Sequence, residues 1–272
     1  MTLVLASIVG AGLFFWPFFA SDLPPDTPAL VVAIGTVAVL GLMEAGARRL
    51  DSGRLALLAA LAAVDAALRL ALVNGFGGFS PIFFLVLAAG YEFGASYGFL
   101  VGSYSLLVSA VVTGGVGPWL PYETFAVGWV GASAGLAGSI VRRASSRFRV
   151  RPGSTETSTG SESRGWWPSR LDVAILVGVA IVTGFAYGAL TDLWGWVAFY
   201  RGAGDVGWLP GLSPLETLDR FSRYYVLTSF AWDSFRAFGD AIAIVLLGMP
   251  VLAALGRMRA HLGYEIVDEA SA

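Results

Sequence analysis

The stretch PIFFLVLAAGYEFGASYGFLVGSYSLLVSAVVTGG, residues 81–115, decides the fold of this chain. It is apolar almost throughout, and a single helix of this length would be about 50 Å long. A hydrocarbon core of ~30 Å needs only ~20 residues per helix. The small residues GASYG at 94–98 interrupt the middle of the stretch. We therefore predict two helices, 81–95 and 98–114, which meet at this interruption.

The distribution of arginine supports two crossings of a membrane rather than one. With two crossings, the arginines within 48–54, 142–151 and 257–259 all lie on the same side. With one crossing, the densest group would lie opposite the first. Because cationic residues gather on the cytoplasmic side, we predict a multi-pass protein of the cell (plasma) membrane with both termini in the cytoplasm.

The composition of the whole chain fits this class. Of 272 residues, 56% are hydrophobic and 13% are charged, whereas a soluble domain needs more charge to cover its surface. The predicted fold class is an all-α polytopic membrane helix bundle with eight transmembrane helices. Their predicted spans are 2–20, 29–46, 54–73, 81–95, 98–114, 122–141, 171–191 and 226–249.

Residue types that are absent exclude several kinds of chemistry. All seventeen cationic residues are arginine, so the chain has no phosphate-loop lysine and no Schiff-base lysine. Cysteine is absent and His261 is the only histidine, which leaves no HExxH motif or thiolate metal site. We therefore predict no catalytic residues, no metal and no cofactor. The arginines follow the membrane face, so no nucleic-acid partner is expected.

The connections between the predicted helices divide the chain. We expect a cytoplasmic disordered linker over 144–170, because it is polar and of low complexity. On the outer side, the longest connection contains a short amphipathic piece at 215–225, and it could act as a lid. The outer connections are 21–28, 74–80, 114–121 and 192–225. The predicted units are a two-helix extension at 1–50, core helices at 51–143, core helices at 171–258 and a cytoplasmic tail at 259–272.

Charged side chains lie inside several predicted spans, where each costs ~2.5 to 3.5 kcal/mol on insertion. Asp65 and Arg69 are one helical turn apart, and Asp233 and Arg236 are three residues apart. Each pair could be a self-satisfied ion pair, since this spacing places both side chains on one helix face. Alternatively, the pairs could line a polar cavity that opens outward. Both interpretations remain open from the sequence.

The residues expected near the outer mouth are candidates for binding a small molecule, because polar and aromatic groups there could orient it. Each could instead cap a loop or lie in the aromatic belt at the membrane surface. The candidate substrate-binding residues are Asn74, Trp119, Tyr122, Glu123, Asp192, Trp194, Asp233 and Arg236.

Three segments together resemble the substrate-binding S component of energy-coupling factor (ECF) transporters. They are ALLAALAAVDAALRL at 56–70, the stretch at 81–115, and GPWLPYETFAVGWVGASAGLAG at 117–138. The GPW turn followed by a helix with glycines every three or four residues is the most specific part. The resemblance covers about 54–256 and implies a six-helix core. The two helices before Met43 are an addition to the family pattern.

This resemblance implies a vitamin-uptake subunit that captures its substrate outside and docks on a transmembrane scaffold (T) subunit with two ATPase subunits. It also implies that Ala59, Ala63 and Ala67 contact the scaffold, although a register through Ala62 and Ala66 fits equally well. The last helix, SFAWDSFRAFGDA at 229–241, is most similar to the cobalamin group. Two other classes stay open: a membrane-embedded enzyme of lipid or isoprenoid metabolism, and a structural membrane subunit without a ligand.

Overall fold

The computed structural model describes residues 2–15, 18–19, 31–38, 40–41, 51–71, 82–149 and 168–263. Within these ranges the chain is helical apart from its connections, as predicted for an all-α bundle. Residues 31–38 are also helical. The other helices are α1 (Thr2–Phe15), α2 (Ser52–Ala71), α3 (Ile82–Phe93), α4 (Ala95–Thr113), α5 (Leu120–Arg149), α6 (Arg170–Phe199), α7 (Pro214–Thr228) and α8 (Phe230–His261).

Four of these helices are long and apolar enough to cross a membrane, namely α4, α6, α8 and the part of α5 that ends at Ser145. Helices α1 and α3 are apolar but shorter, and α2 carries Arg54, Asp65 and Arg69 within its length. Large apolar side chains are exposed along α8, including Phe235 and Val245, where a soluble protein would present polar groups. The bundle therefore fits a membrane protein, with four candidate spans among the described residues.

The stretch that decides the fold forms two helices that turn back on each other, as predicted. Gly94 separates α3 from α4 with a φ of 98°, a conformation that favours glycine. A Cβ atom on Gly98 would lie 2.6 Å from the Cα atom of Gly90. In a continuous helix these two residues would be about 12 Å apart. The chain therefore reverses at Gly94, within the predicted interruption, and α4 begins at Ala95 rather than at the predicted residue 98.

Glycines of α5 make the close helix contacts that their spacing indicates. A Cβ on Gly131 would overlap the backbone of Gly98, and one on Gly135 would overlap the backbone at Ala95. Gly138 lies in the same way against the carbonyl of Tyr91. Because small residues let backbones approach closely, α5 packs against both arms of the α3–α4 hairpin.

Cross-helix contacts fix the directions of the other helices. The Tyr97 hydroxyl donates to the Arg54 carbonyl at 3.1 Å, and Arg69 donates to Ser109 at 2.8 Å, so α2 runs parallel to α4. On the other side, α6 and α8 pack antiparallel, with Gly184 against Ala237. The two ends of the bundle therefore carry different residues.

We call one of these ends the arginine end, because Arg54, Arg142 and Arg259 lie there. The opposite end, with Tyr122, Trp194 and Asp233, is called the aromatic end below. At the arginine end, Arg142 donates to the Tyr91 carbonyl at 2.7 Å, and Arg259 lies 3.4 Å from the buried Glu92 carboxylate. The Tyr91 hydroxyl donates to Asp172 at 2.6 Å. This network ties α3, α5, α6 and α8 together.

Three helices extend beyond the predicted spans. Helix α5 reaches Arg149, so residues 144–149 of the predicted disordered linker are helical. Helix α6 reaches Phe199, so the first part of the predicted outer loop is helix. Helix α8 passes through Pro250 to His261, which therefore belongs to its last turn. Backbone hydrogen bonding continues through polar but helix-compatible residues at the end of α5, and through the largely apolar residues 192–199 at the end of α6.

Candidate functional site

A cavity of about 300 Å³ opens at the aromatic end, between the start of α5 and the last third of α6. Five of the residues predicted to bind a substrate contribute to its wall. The lining residues are Trp119, Tyr122, Glu123, Thr191, Asp192, Trp194 and Gly195. Thr191 and Gly195 were not predicted, but both flank predicted residues on the same helix.

The GPW turn positions Trp119 at the cavity mouth. Helix α4 ends at Gly114, whose φ of 68° lies in the left-handed region that ends many helices. The Trp119 indole folds back over Gly117, where a Cβ atom would overlap the ring. The Trp119 carbonyl then accepts the backbone N–H of Glu123 at 3.0 Å, which begins α5. Any residue larger than glycine at 117 would displace the indole.

Aromatic rings form one wall of the cavity. The Tyr122 and Trp194 rings are stacked, with centroids 4.6 Å apart and an interplanar angle of 27°. Phe14 of α1 packs edge-on against Tyr122 at 5.5 Å, and Phe199 packs edge-on against Trp194 at 5.3 Å. Tyr122 and Trp194 are buried, whereas Trp119 is 41% exposed. The stacked pair is therefore rigid, and Trp119 is the ring that remains open to the outside.

Two carboxylates complete the wall. Glu123 lies in the first turn of α5, with the Tyr187 hydroxyl within hydrogen-bonding reach. Asp192 has the Ser229 hydroxyl within reach of its carboxylate. Its buried Oδ2 atom has no hydrogen-bond partner among the described residues. An unsatisfied buried acceptor of this kind costs about 1 to 3 kcal/mol, and this oxygen is enclosed by protein rather than exposed at the cavity surface.

The predicted pair of Asp233 and Arg236 lies directly behind the cavity and is formed in the structure. Arg236 donates to Asp233 across one turn of α8, and the Tyr225 hydroxyl donates to the same carboxylate at 2.8 Å. The Arg236 guanidinium also lies 5.0 Å from the centre of the Tyr187 ring. Gly188 of α6 leaves the room that Asp233 occupies. This pair supports the wall that carries Asp192.

Asp65 and Arg69 do not form the direct ion pair that their spacing suggests. Arg69 donates to Ser109 of α4 instead, at 2.8 Å. Both Asp65 oxygens are buried without a hydrogen-bond partner among the described residues. Because the Arg69 guanidinium is hydrogen-bonded to the Ser109 hydroxyl, its interaction with Asp65 is only electrostatic. Asp240, seven residues after Asp233 in α8, is likewise buried with one unpartnered oxygen.

An amphipathic helix, α7, follows the connection after α6, as the sequence predicted. The role of this connection and α7 as a lid stays a prediction, and the two together are called the lid segment below. Trp196 donates from its indole to the Val206 carbonyl at 2.6 Å, and Trp196, Trp208 and Tyr224 form a small buried cluster. Helix α7 starts at a capping box in which Ser213 and Glu216 bind each other's backbone. The Ser213 hydroxyl, by donating to the exposed Glu216 carboxylate, lowers the pKa of Glu216. The segment is thus fixed to the bundle at both of its ends.

The alanine stripe has one exposed register. Ala62 and Ala66 are buried at 2% and 3%, while Ala59, Ala63 and Ala67 are exposed. The sequence left the two registers equivalent, but they differ in the fold. Only the register of Ala59, Ala63 and Ala67 faces away from the chain's own helices.

One predicted binding residue, Asn74, lies outside the described residues, as do the connections 21–28 and 74–80. Comparison with protein-family models, curated proteins and solved structures finds no match for this chain. The residues that the sequence missed are Tyr187 and Tyr225, whose hydroxyls contact the predicted carboxylates. Neither has a distinctive sequence signal, because tyrosine is common near the ends of membrane helices.

Proposed function

We propose that this chain is the membrane-embedded substrate-capture subunit of an importer of the energy-coupling factor type. It binds a vitamin or related micronutrient at the outer face of the membrane. The observation that carries the proposal is the convergence of Trp119, Tyr122, Glu123, Asp192 and Trp194 on one cavity. A concave site with aromatic walls and a few polar groups is the usual form of a small-molecule site.

The orientation of the cavity follows from the charges at the opposite end. Arg54, Arg142 and Arg259 lie at the arginine end, and cationic residues favour the cytoplasmic side. The aromatic end then faces outward, with both chain termini in the cytoplasm. Tryptophan and tyrosine at this end suit the level of the lipid headgroups. A solute arriving from outside would reach Trp119 first, since this ring is exposed.

Energy for release has to come from other subunits, because a chain without lysine has no phosphate-binding loop. The exposed stripe of Ala59, Ala63 and Ala67 is the proposed contact with the scaffold subunit that carries the two ATPases. Small side chains allow two membrane helices to approach closely. The buried alanines Ala62 and Ala66 hold α2 to its own bundle and leave the stripe accessible.

The cavity volume supports a small cargo. About 300 Å³ lies at the lower end of the ~300–1,000 Å³ range of small-molecule sites. Cobalamin, the substrate of the group that the last helix resembles, would need a much larger space. Its binding would require the lid segment, which carries Trp208 and Tyr224, to open away from Trp196 of α6.

Ligand binding to the detergent-purified chain tests the proposal. We expect one water-soluble vitamin to quench tryptophan fluorescence, and mass spectrometry to find the same compound released from the protein. Replacing Trp119 by phenylalanine should reduce the quenching, whereas Trp232→Phe, on the exposed face of α8, should not. If no vitamin binds and no ATPase subunits co-purify, the proposal is wrong. Turnover of a lipid or isoprenoid would favour the membrane-embedded enzyme instead.

A further inference from the structure

The wall of the cavity has an uneven composition. Three of its side chains are aromatic, two are carboxylates, and none is basic among the described residues that line it. A site for an anionic vitamin would be expected to present an arginine to the carboxylate or phosphate of the ligand. Arg69 and Arg236, which both interact electrostatically with Glu123, are not among the residues that line the cavity.

Both of these arginines are already engaged. Arg236 donates to Asp233 and lies over the ring of Tyr187. Arg69 donates to Ser109 and interacts electrostatically with both Asp65 and Glu123. Neither guanidinium is free to turn toward a ligand without breaking these contacts.

Acidic groups outnumber the basic ones at this end of the bundle. In the helices around the cavity, the carboxylates are Asp65, Glu123, Asp192 and Asp233, with Asp240 deeper in α8, and the cations are Arg69 and Arg236. Arg201, Arg220 and Arg223 belong to the connection after α6 and to α7. Pairing Asp233 with Arg236 and sharing Arg69 between Asp65 and Glu123 leaves Asp192 and the deeper Asp240 without a dedicated cation. Because an unpaired charge in an apolar environment is costly, a positive group in the cavity would offset this excess.

The Asp192 carboxylate belongs to the cavity wall, and one of its two oxygens is left without a partner in the part of the chain that the structure describes. Its Oδ2 atom is buried, accepts no hydrogen bond from the described residues, and belongs to a residue of the cavity wall. Around it, Tyr122, Trp194 and Trp119 offer ring faces. A cation is attracted to such faces, most strongly to tryptophan, by ~0.5 to 2 kcal/mol. An aromatic ligand ring also gains from stacking against them.

On the basis of the capture function proposed above, we infer that the cargo is a small organic cation with an aromatic ring, such as a nitrogen heterocycle with a fixed positive charge. Its cationic side faces Asp192 and Glu123, and its ring lies against Trp119 or the stacked pair of Tyr122 and Trp194. A volume of about 300 Å³ corresponds to the space of ~10 water molecules at ~30 Å³ each. This admits one or two small rings.

Three probes that share the same ring but differ in net charge test the inference on the unaltered protein. The probes are 1-methylnicotinamide, which is cationic, nicotinamide, which is neutral, and nicotinate, which is anionic. Quenching of tryptophan fluorescence is measured for each at constant ionic strength. We expect the cation to bind at least tenfold more tightly than nicotinamide, and nicotinate to bind more weakly than both.

A pair of variants then assigns the charge preference to the cavity. Asp192→Asn keeps the shape of the side chain and should reduce the affinity for 1-methylnicotinamide at least tenfold. Asp205→Asn makes the same replacement in the exposed connection after α6 and should leave the affinity for 1-methylnicotinamide unchanged. If Asp192→Asn fails to fold, Glu123→Gln tests the same charge preference at the other carboxylate of the cavity wall.

The outcomes separate this inference from the function on which it rests. If nicotinate, or any anionic vitamin, binds more tightly than the cation, the inference is wrong while the capture function stands. If the cation does not quench fluorescence at millimolar concentration, the inference is also wrong. If no vitamin of any charge binds, the capture function falls as well.

Discussion

Gly188 of α6 provides the space that the Asp233 carboxylate of α8 occupies. A Cβ atom at position 188 would overlap that carboxylate, which holds both Arg236 and the Tyr225 hydroxyl. The glycine therefore allows a charged pair to lie between two tightly packed helices, directly behind the cavity wall.

Replacing this glycine tests the contact. Gly188→Ala should lower the free energy of unfolding by about 1 to 3 kcal/mol, the usual cost of overpacking a core. It should also weaken ligand binding, because Asp233 and its partners have to move. Thermal unfolding in detergent measures the first effect and fluorescence titration the second.

The matched control is Gly178→Ala on the same helix, where an added Cβ meets nothing within 4 Å. This change should be neutral or stabilising by up to ~1 kcal/mol, since alanine favours helix more than glycine. Equal melting temperatures for the two variants would mean that Gly188 and Asp233 are not in close contact.

The hairpin of α3 and α4 gives a second prediction. Gly131→Ala should reduce the yield of folded protein, because its Cβ would meet the backbone of Gly98. Gly12→Ala in α1, where an added Cβ meets open space, should have no such effect. Size-exclusion chromatography of both variants compares the folded fractions. Equal monodisperse yields would contradict the close approach at the hairpin.

The start of the lid helix gives a prediction about pH. Glu216 has a lowered pKa because Ser213 donates to it, so the ionised carboxylate is preferred in the folded state. The cap therefore adds stability above the ordinary pKa of 4.5, and this contribution is lost as the pH falls through the lowered value. The protection factors of the α7 amides, which are corrected for the intrinsic slowing of exchange in acid, should therefore decrease under these acidic conditions.

Ser213→Ala should produce faster exchange in α7 already at neutral pH, since losing an N-cap costs about 1 kcal/mol. Ser222→Ala, in the middle of the same helix, serves as the control. If Ser213→Ala leaves the exchange of the first turn unchanged at every pH, the capping box does not stabilise the lid.

The exposed alanine stripe predicts where a partner docks. Ala63→Leu should abolish co-purification of the scaffold and ATPase subunits while cargo binding persists, since none of the described residues of α2 lines the cavity. Ala186→Leu makes the same change on an exposed position of α6 and should leave the assembly intact. Retention of all partners by Ala63→Leu would exclude the stripe as the docking surface.

The sequence predicted the parts of this fold that depend on local patterns. The interruption at 94–98 indicated the hairpin, and the glycine spacing of α5 indicated its close contacts. The prediction that Trp119, Glu123 and Asp192 lie at the same end of the bundle followed from counting the helices between them. Predicting these features requires only that successive helices alternate in direction and that glycine has particular backbone preferences.

Features that depend on which side chains meet across helices could not be predicted. The partner of Arg69 is Ser109 on another helix, whereas the spacing along α2 pointed to Asp65. Tyr187 and Tyr225 reach the carboxylates through contacts that no sequence interval encodes. The register of the alanine stripe was equally ambiguous, because burial of Ala62 and exposure of Ala63 depend on how α2 is rotated against α4.

The central claim is that the cavity at the aromatic end faces the outside. Because the chain has no cysteine, a single introduced cysteine reports one position. Val116→Cys lies next to the GPW turn at an exposed site, and Arg257→Cys lies at the opposite end. A membrane-impermeant maleimide applied to intact cells should label the cysteine at 116, and label that at 257 only after the membrane is permeabilised. Labelling of the cysteine at 257 in intact cells, with 116 protected until permeabilisation, would contradict outward capture.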